Sequence, residues 1–140
     1  MKKLIFLLIF NTISYSQDIN GIYQSRYTSF NNPNDTSSNF FKQEYNSIII
    51  DIYDFPNPNG SVTIMSKDKN GDAFSVKYQV IGERTTEKSD TGIYFIYPAK
   101  IYLYNHPTKT NCSIAIHSNL DDLIILYDDT GSSQLFDLKK

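Results

Sequence analysis

The apolar residues of this chain recur at every second position over most of its length, which predicts β-strands rather than helices. In the clearest stretch, apolar side chains alternate with polar ones: Phe74, Val76, Tyr78 and Val80. Such alternation is typical of an antiparallel strand with one buried face and one wet face. Helical spacing fits better in hardly any window of the sequence.

The same pattern, read along the whole chain, predicts nine short strands separated by turn residues. They fall at 21–28, 44–54, 60–67, 72–82, 92–97, 99–104, 111–117, 122–128 and 133–138. Asn70-Gly71, between the third and fourth of them, is the strongest short-range signal for a hairpin. Pro98 separates the fifth strand from the sixth, because proline lacks the backbone donor that a sheet interior uses.

The connections between these strands are short, except for one long loop at 29–43 with room for a helical turn around Asn39 to Gln43. Short connections favour an antiparallel up-and-down meander, and closing such a meander removes its exposed edges. We therefore expect a single all-β domain that forms a barrel or a strongly curled sheet. A β-sandwich is the alternative that the pattern leaves open.

The N-terminus has the three parts of an export signal. Lys2 and Lys3 supply the positive charge, an apolar run follows at 4–10, and small residues precede Gln17. A spanning helix needs roughly 20 apolar residues, so this run is too short to be a membrane anchor. We expect residues 1–16 to be cleaved and the domain to comprise 17–140, exported to the periplasm or the medium.

Charge and cysteine content narrow the possible partners. Loss of Lys2 and Lys3 would take the formal net charge from −2 to −4, and an acidic chain lacks the basic patch of a nucleic-acid binder. Cys112 is the only cysteine, so no disulfide can form within the chain. Its alternation with Ile114 and Ile116 predicts burial in a monomer, and a covalent dimer through Cys112 is the alternative.

Motifs with possible metal or catalytic chemistry are incomplete. Asp68, Asn70 and Asp72 match the first half of an EF-hand calcium loop, but the sixth and twelfth positions do not fit, so a hairpin turn is the preferred interpretation. His106 and His117 have no partner in the sequence pattern that would suggest a metal site or an acid–base pair. We expect neither an enzyme nor a cofactor.

Tyrosine is the least ordinary feature of the composition, with 11 of 140 residues. Four tyrosines fall on the two strands that flank Pro98: Tyr94, Tyr97, Tyr102 and Tyr104. A tyrosine has an apolar body and a polar tip, so such a group suits a ligand pocket or a partner surface. Strand propensity also enriches tyrosine, so a purely structural role is the competing interpretation.

Asn20-Gly21-Ile22-Tyr23 resembles the Gly-x-Trp signature that opens lipocalins and related calycins. Tyr23 replaces the tryptophan, and no arginine follows in the last predicted strand. The resemblance to a small bacterial lipocalin-like domain implies a barrel with a pocket at one mouth. The expected function is binding of a small apolar or amphipathic ligand, and the alternative is a protein-interaction or envelope-associated structural domain without a ligand.

Overall fold

The computed structural model describes residues 18–55, 57–102 and 110–140. Over these residues the chain is all-β, as the alternating pattern predicts. The nine strands are β1 (Gly21–Asn31), β2 (Phe40–Tyr53), β3 (Asn59–Lys67), β4 (Ala73–Val80), β5 (Thr85–Lys88), β6 (Ile93–Tyr102), β7 (Asn111–His117), β8 (Asp122–Tyr127) and β9 (Ser133–Asp137). One 3-10 turn, Thr36–Ser38, lies between β1 and β2.

The strands form one antiparallel sheet in the order β4-β3-β2-β1-β9-β8-β7-β6-β5. Pairing of β4 with β6 closes eight of these strands into a ring, and β5 continues the sheet beyond the ring as a flap on β6. The expected meander that curls into a barrel is therefore confirmed. Closure pairs the strand edges that an open sheet would leave exposed.

The predicted break at Pro98 is wrong, because β6 runs through it. Pro98 lies opposite Ser113 of β7, but its carbonyl accepts from Ile81 N at 2.9 Å on the other side of β6. In an antiparallel strand the N–H and C=O of one residue point the same way. The missing N–H therefore faces away from β7, toward the gap that separates β5 from β4 along the other edge of β6. The proline thus removes no hydrogen bond to β7.

A missed strand, a shorter loop and an earlier helical turn also differ from the sequence prediction. β5 was missed because all four of its residues are exposed and lack an apolar alternation. The long loop shrinks to 32–39, since Ser29 and Phe30 extend β1 beyond its predicted end to pair with Phe41 and Phe40 of β2. The segment around Asn39 to Gln43 is strand rather than helix, and the single helical turn lies earlier. The predicted end of the sixth strand, 103–104, lies outside the described residues.

The inward side chains of the ring fill most of the barrel with the chain's own apolar groups. The fully buried ones include Tyr23, Ile48, Ile50, Val62, Tyr97, Ala99, Ile114, Ile116, Leu123 and Ile125. Cys112 lies among them, 2 % exposed, as its alternation predicts. Burial, with Asp128 nearby, raises the pKa of its thiol to about 12. The core occupies the middle of the barrel and the end opposite the β3–β4 hairpin.

A β-bulge in β1 is held by one carboxylate from β9. The register with β2 shifts between Ser25 and Tyr27, which frees backbone donors from the ladder. Asp137 Oδ1 accepts hydrogen bonds from Ser25 Oγ at 2.9 Å and from the N–H groups of Arg26 and Tyr27 at 2.8 Å each. Although partial burial acts to raise it, these hydrogen bonds lower the pKa of Asp137 below its ordinary value.

Asp137→Asn should therefore destabilise the protein in a pH-dependent way. A folded-state pKa below the unfolded one gives stability above the unfolded pKa, near 3.9, and that stability is lost as pH falls through the folded pKa. Because solvent screens this partly exposed carboxylate, we expect Asp137→Asn to lower the free energy of unfolding by about 1 kcal/mol at pH 7. Urea unfolding at pH 7 and pH 3 checks this, and an equal loss at both would contradict it.

Candidate functional site

One end of the barrel, here called the mouth, holds a cavity between the inward side chains of the described residues. The connections 32–39, 68–72 and 128–132 lie at this end, and Asn34 Nδ2 donates to the Thr130 carbonyl at 2.8 Å to join two of them. A cavity of about 380 Å³ opens here. It is lined by Phe40, Lys42, Glu44, Ile64, Ser66, Phe74, Val76, Tyr78, Ile101, Tyr127, Gln134 and Phe136.

The floor and walls of the cavity are mainly apolar, because they continue the inward faces of β2, β3, β4, β6 and β9. Ile64, Ile101 and Phe136 are core residues that end the packed interior at its floor. Val76 is half-buried against them. Apolar walls with a few polar groups are the usual composition of a small-molecule site, and this volume is near the lower end of the usual range of roughly 300–1,000 Å³.

A short chain of hydrogen bonds crosses the cavity wall. Tyr127 donates to Gln134 Oε1 at 3.1 Å, and the hydroxyls of Tyr78 and Tyr127 are 3.1 Å apart. Burial, with each phenol acting on the other, raises the pKa of Tyr78 above its ordinary value, so the hydroxyl stays protonated. Since Tyr127 uses its proton on Gln134, Tyr78 is the donor between the two phenols.

Charged and aromatic groups form the rim. Lys42 Nζ lies 2.9 Å from Glu44 Oε1 and 5.0 Å from the centre of the Phe40 ring. Phe30 and Phe40 stack with ring centres 5.7 Å apart, and Phe74 is 48 % exposed on the facing strand β4. The cavity thus has an apolar interior, and aromatic rings and an ion pair lie at its rim. This arrangement fits a molecule with an apolar part and a polar end.

Behind the rim lies a buried polar network that positions Ser66. Asn46, 1 % exposed, donates from Nδ2 to Thr28 Oγ1 at 3.0 Å, and Ser66 Oγ donates to its Oδ1. Buried amides that are satisfied in this way fix side-chain orientation. The network holds β1, β2 and β3 together beside the cavity.

The four tyrosines singled out in the sequence do not form one surface. Tyr97 points inward and is 1 % exposed, whereas Tyr94 and Tyr102 lie on the outward face of β6. Tyr104 is outside the described residues. Sequence reasoning placed the candidate pocket on these tyrosines and missed Lys42, Glu44 and Gln134. The only sign of these three residues in the sequence was that they alternate with residues that face outward in the structure.

A second polar cluster lies at the opposite end, around His117. Tyr94 packs edge-on against the imidazole at 4.8 Å and donates to Asp122 Oδ2 at 3.1 Å. Burial, with Asp122 nearby, raises the pKa of Tyr94 to about 12. Burial and Asp121 raise the pKa of Asp122 in spite of the Tyr94 bond, and its buried Oδ1 has no hydrogen-bond partner among the described residues.

We expect Asp122→Asn to stabilise the protein at neutral pH. A carboxyl whose folded pKa is raised costs stability once it ionises, and the neutral amide removes that cost. Because the site is partly solvated, the gain should be about 0.5 kcal/mol at pH 7, and it should vanish near pH 3, where the carboxyl is protonated. Thermal unfolding at both pH values measures it. Asp129→Asn, in an exposed turn, is the control, and equal gains in both variants would contradict the assignment.

Asp68, Asn70 and Asp72 form the turn of the β3–β4 hairpin. Asp68 Oδ1 accepts from the N–H groups of Asn70 at 2.8 Å and Asp72 at 2.9 Å, and Gly71 N donates to the Asp68 carbonyl. One carboxylate oxygen is thus engaged by its own turn. The preferred hairpin interpretation is confirmed, whereas calcium binding stays a prediction.

The described residues show no metal-binding cluster and no membrane-spanning helix, and comparison with known proteins finds no match. Within the described ranges, no group of three His, Cys, Asp or Glu side chains is placed to hold a metal ion. The same residues contain no helix that is long and apolar enough to cross a membrane. No family model, curated protein or solved structure matches this chain significantly. The class is therefore defined by the structure: a small antiparallel β-barrel with a cavity at one mouth.

Proposed function

We propose that this protein is an exported binding module that holds a small amphipathic molecule in the mouth of its barrel. The observation that carries the proposal is the cavity of about 380 Å³ that the described residues leave between inward apolar side chains at the mouth. A barrel that served only as a scaffold would gain stability by covering these apolar side chains, because apolar surface left in contact with water forfeits the hydrophobic stabilisation of burial. The export signal and the lipocalin-like opening motif support the same function.

The apolar part of the ligand would lie against Ile64, Val76 and Phe136, and its polar end would meet Lys42 and Glu44 at the rim. Within the ion pair, Lys42 is 50 % exposed and Glu44 24 % exposed, so the ammonium group is the more accessible. The amide nitrogen of Gln134 is also available, because Tyr127 engages only Oε1. We assign Lys42 and Gln134 as the donors that meet the ligand, whose polar end would then accept hydrogen bonds.

The lipocalin-like resemblance has one structural counterpart. Tyr23 is fully buried at the closed end of the barrel, donates to the Ile19 carbonyl at 2.8 Å, and has Lys140 Nζ 5.7 Å from its ring centre. A cation over an aromatic ring stabilises that ring electrostatically. We propose that Lys140 plays the part of the arginine that the lipocalin-like resemblance leads us to expect over this ring.

Titration with dansylaminoundecanoic acid tests the proposal. We expect saturable one-to-one binding with a blue-shifted emission, because the dye leaves water for an apolar cavity. Dodecanoate should displace the probe better than dodecanol, and dodecylamine should compete least, if the donors at the rim select an acceptor. Absence of saturable binding for every compound would overturn the carrier function.

A second candidate function rests on a different surface. Tyr27, Phe41 and Tyr45 lie on the outer faces of β1 and β2 and are 44 %, 73 % and 68 % exposed. The Tyr27 and Phe41 rings stack with centres 5.6 Å apart. Clustered exposed aromatics are typical of protein interfaces, so an interaction domain without a ligand is the alternative. Phe41→Ser with Tyr45→Ser should leave probe binding intact, which separates this surface from the cavity.

A further inference from the structure

The turn between β5 and β6 folds over the outward face of β7 and encloses His117. Although His117 ends a strand on that face, it is only 1 % exposed. Gly92 passes so close that a Cβ there would lie 3.0 Å from the imidazole Cε1. The close approach of the turn brings Ser89 and Thr91 within hydrogen-bond distance of a residue more than 25 positions away in the chain.

The two imidazole nitrogens have different partners. Asp121 Oδ1 lies 2.9 Å from Nδ1, whereas Ser89 Oγ and Thr91 Oγ1 each lie 3.2 Å from Nε2. A carboxylate can only accept, so the proton between His117 and Asp121 belongs to Nδ1. The Asn119 N–H also donates toward Nδ1 at 3.3 Å, an arrangement that belongs to the other tautomer. We assign the proton to Nδ1 because the contact with the Asp121 carboxylate is shorter and charge-assisted. Nε2 is then left with a lone pair that can accept a hydroxyl proton.

Ser89 also faces a groove on the outside of the barrel. The groove has a volume of about 250 Å³, and Ser89 stands at one end beside Tyr94. Its apolar floor is made by Ile96, Ala115, Ile124 and Leu126. Thr91 does not line this groove. Of the two residues whose hydroxyls lie on Nε2, Ser89 is therefore the one that lines this groove.

We propose that Ser89, His117 and Asp121 form a nucleophilic site that cleaves carboxylic esters with a small apolar acyl group. The arrangement satisfies the geometric requirement for an activated serine: a nucleophile in contact with a base, and a base oriented by a carboxylate. The site is independent of the cavity at the mouth, which lies at the other end of the barrel. It was missed in the sequence because Ser89 and His117 come together only through the folded turn.

The reaction needs only the ester and water. Ser89 Oγ attacks the ester carbonyl carbon while its proton passes to His117 Nε2. The bond to the alcohol oxygen then breaks, and Nε2 returns the proton to the departing alkoxide. Water next attacks the acyl-serine and gives one proton to Nε2, which passes it back to Ser89 Oγ as the carboxylic acid leaves.

Turnover should be slow and restricted to activated esters. The Ser89 N–H already donates to the Gly92 carbonyl at 2.9 Å and cannot serve the developing oxyanion, and weak oxyanion stabilisation costs orders of magnitude in rate. A good leaving group offsets this loss. The suitable substrate is therefore p-nitrophenyl butyrate, and the suitable covalent probe is a fluorophosphonate that traps activated serines.

The experiment measures p-nitrophenyl butyrate hydrolysis and fluorophosphonate labelling of the purified full chain, with peptide mapping of the labelled residue. We expect the label on Ser89. Ser89→Ala should abolish labelling and reduce hydrolysis about 100-fold, the usual minimum for loss of positioned acid–base chemistry. Ser75→Ala, which removes an exposed hydroxyl on the outward face of β4 and outside the proposed site, should change hydrolysis less than two-fold.

Asp121→Asn provides the second variant, because a substitution of His117 itself could unfold the domain. It should lower hydrolysis at least ten-fold and leave the circular dichroism spectrum unchanged, since Asp121 is 56 % exposed. No labelling of the wild-type chain, or a label on another residue, would overturn the proposal. Hydrolysis that survives Ser89→Ala would overturn it as well.

Discussion

Val76→Trp should weaken binding of dansylaminoundecanoic acid at least ten-fold. Val76 is half-buried on the inward face of β4 and lines the mouth cavity, so an indole at this position would occupy the space assigned to the ligand. A ten-fold loss corresponds to about 1.4 kcal/mol, and overpacking of a filled site typically costs 1–3 kcal/mol. The same fluorescence titration measures the dissociation constant for both proteins.

The matched control is Ser75→Trp, one position earlier on the same strand. Ser75 is exposed on the outward face, so its indole would lie outside the barrel. We expect its dissociation constant to stay within two-fold of the wild type. Val76→Trp should remain folded, since it fills a cavity rather than a packed core, and unfolding in urea verifies this. Equal affinities for the two variants would place the probe elsewhere.

Gly60→Ala should give the largest loss of stability, about 3 kcal/mol. Gly60 has φ +105° where β3 pairs with Ile52, and a Cβ there would lie 2.0 Å from the Asp51 carbonyl oxygen and 2.8 Å from Ile52 Cα. Both contacts are to backbone, so relief requires the end of the β2–β3 ladder to separate. Backbone strain of this kind costs 1–3 kcal/mol before any lost pairing is added.

Gly71→Ala isolates the conformational part of this cost. Gly71 has φ +86° in the β3–β4 turn, but nothing lies within 4 Å of a Cβ there. The substitution should therefore cost about 1 kcal/mol, the penalty for placing an L-residue in the left-handed region. Urea unfolding followed by circular dichroism compares the two. Equal losses would show that the contacts around Gly60 do not determine the difference.

Alternation of apolar residues was sufficient to predict most of the fold, because a strand with one buried face leaves a signal of period two in the sequence. It located β3, β4, β7 and the Asn70-Gly71 hairpin. It failed at β5, whose exposed residues bury no face, and at Pro98, where tolerance depends on which neighbour each edge meets. The failure at β5 arises because this strand has no apolar alternation in its sequence. The failure at Pro98 arises because strand pairing in the closed sheet decides whether the proline is tolerated.

The candidate sites were less predictable than the fold, since both depend on contacts between distant parts of the chain. Lys42 and Gln134 reach one cavity only because β1 bridges β2 and β9. His117 gains the partners of its Nε2, Ser89 and Thr91, from the turn after β5, the strand that the pattern missed. In contrast, the burial of Cys112 was predictable from its own strand, because alternation alone decides which face it takes.

Native mass spectrometry of the protein recovered from the cells and medium in which it is made tests the central proposal most directly. The same sample is measured denatured, and Val76→Trp is prepared in parallel. We expect the native wild-type mass to exceed the denatured mass by a discrete amount of a few hundred daltons, and this excess to be lost in the variant. Equal native and denatured masses for a monomer, persisting after incubation with a lipid and sterol mixture, would contradict the proposal that the cavity holds a ligand.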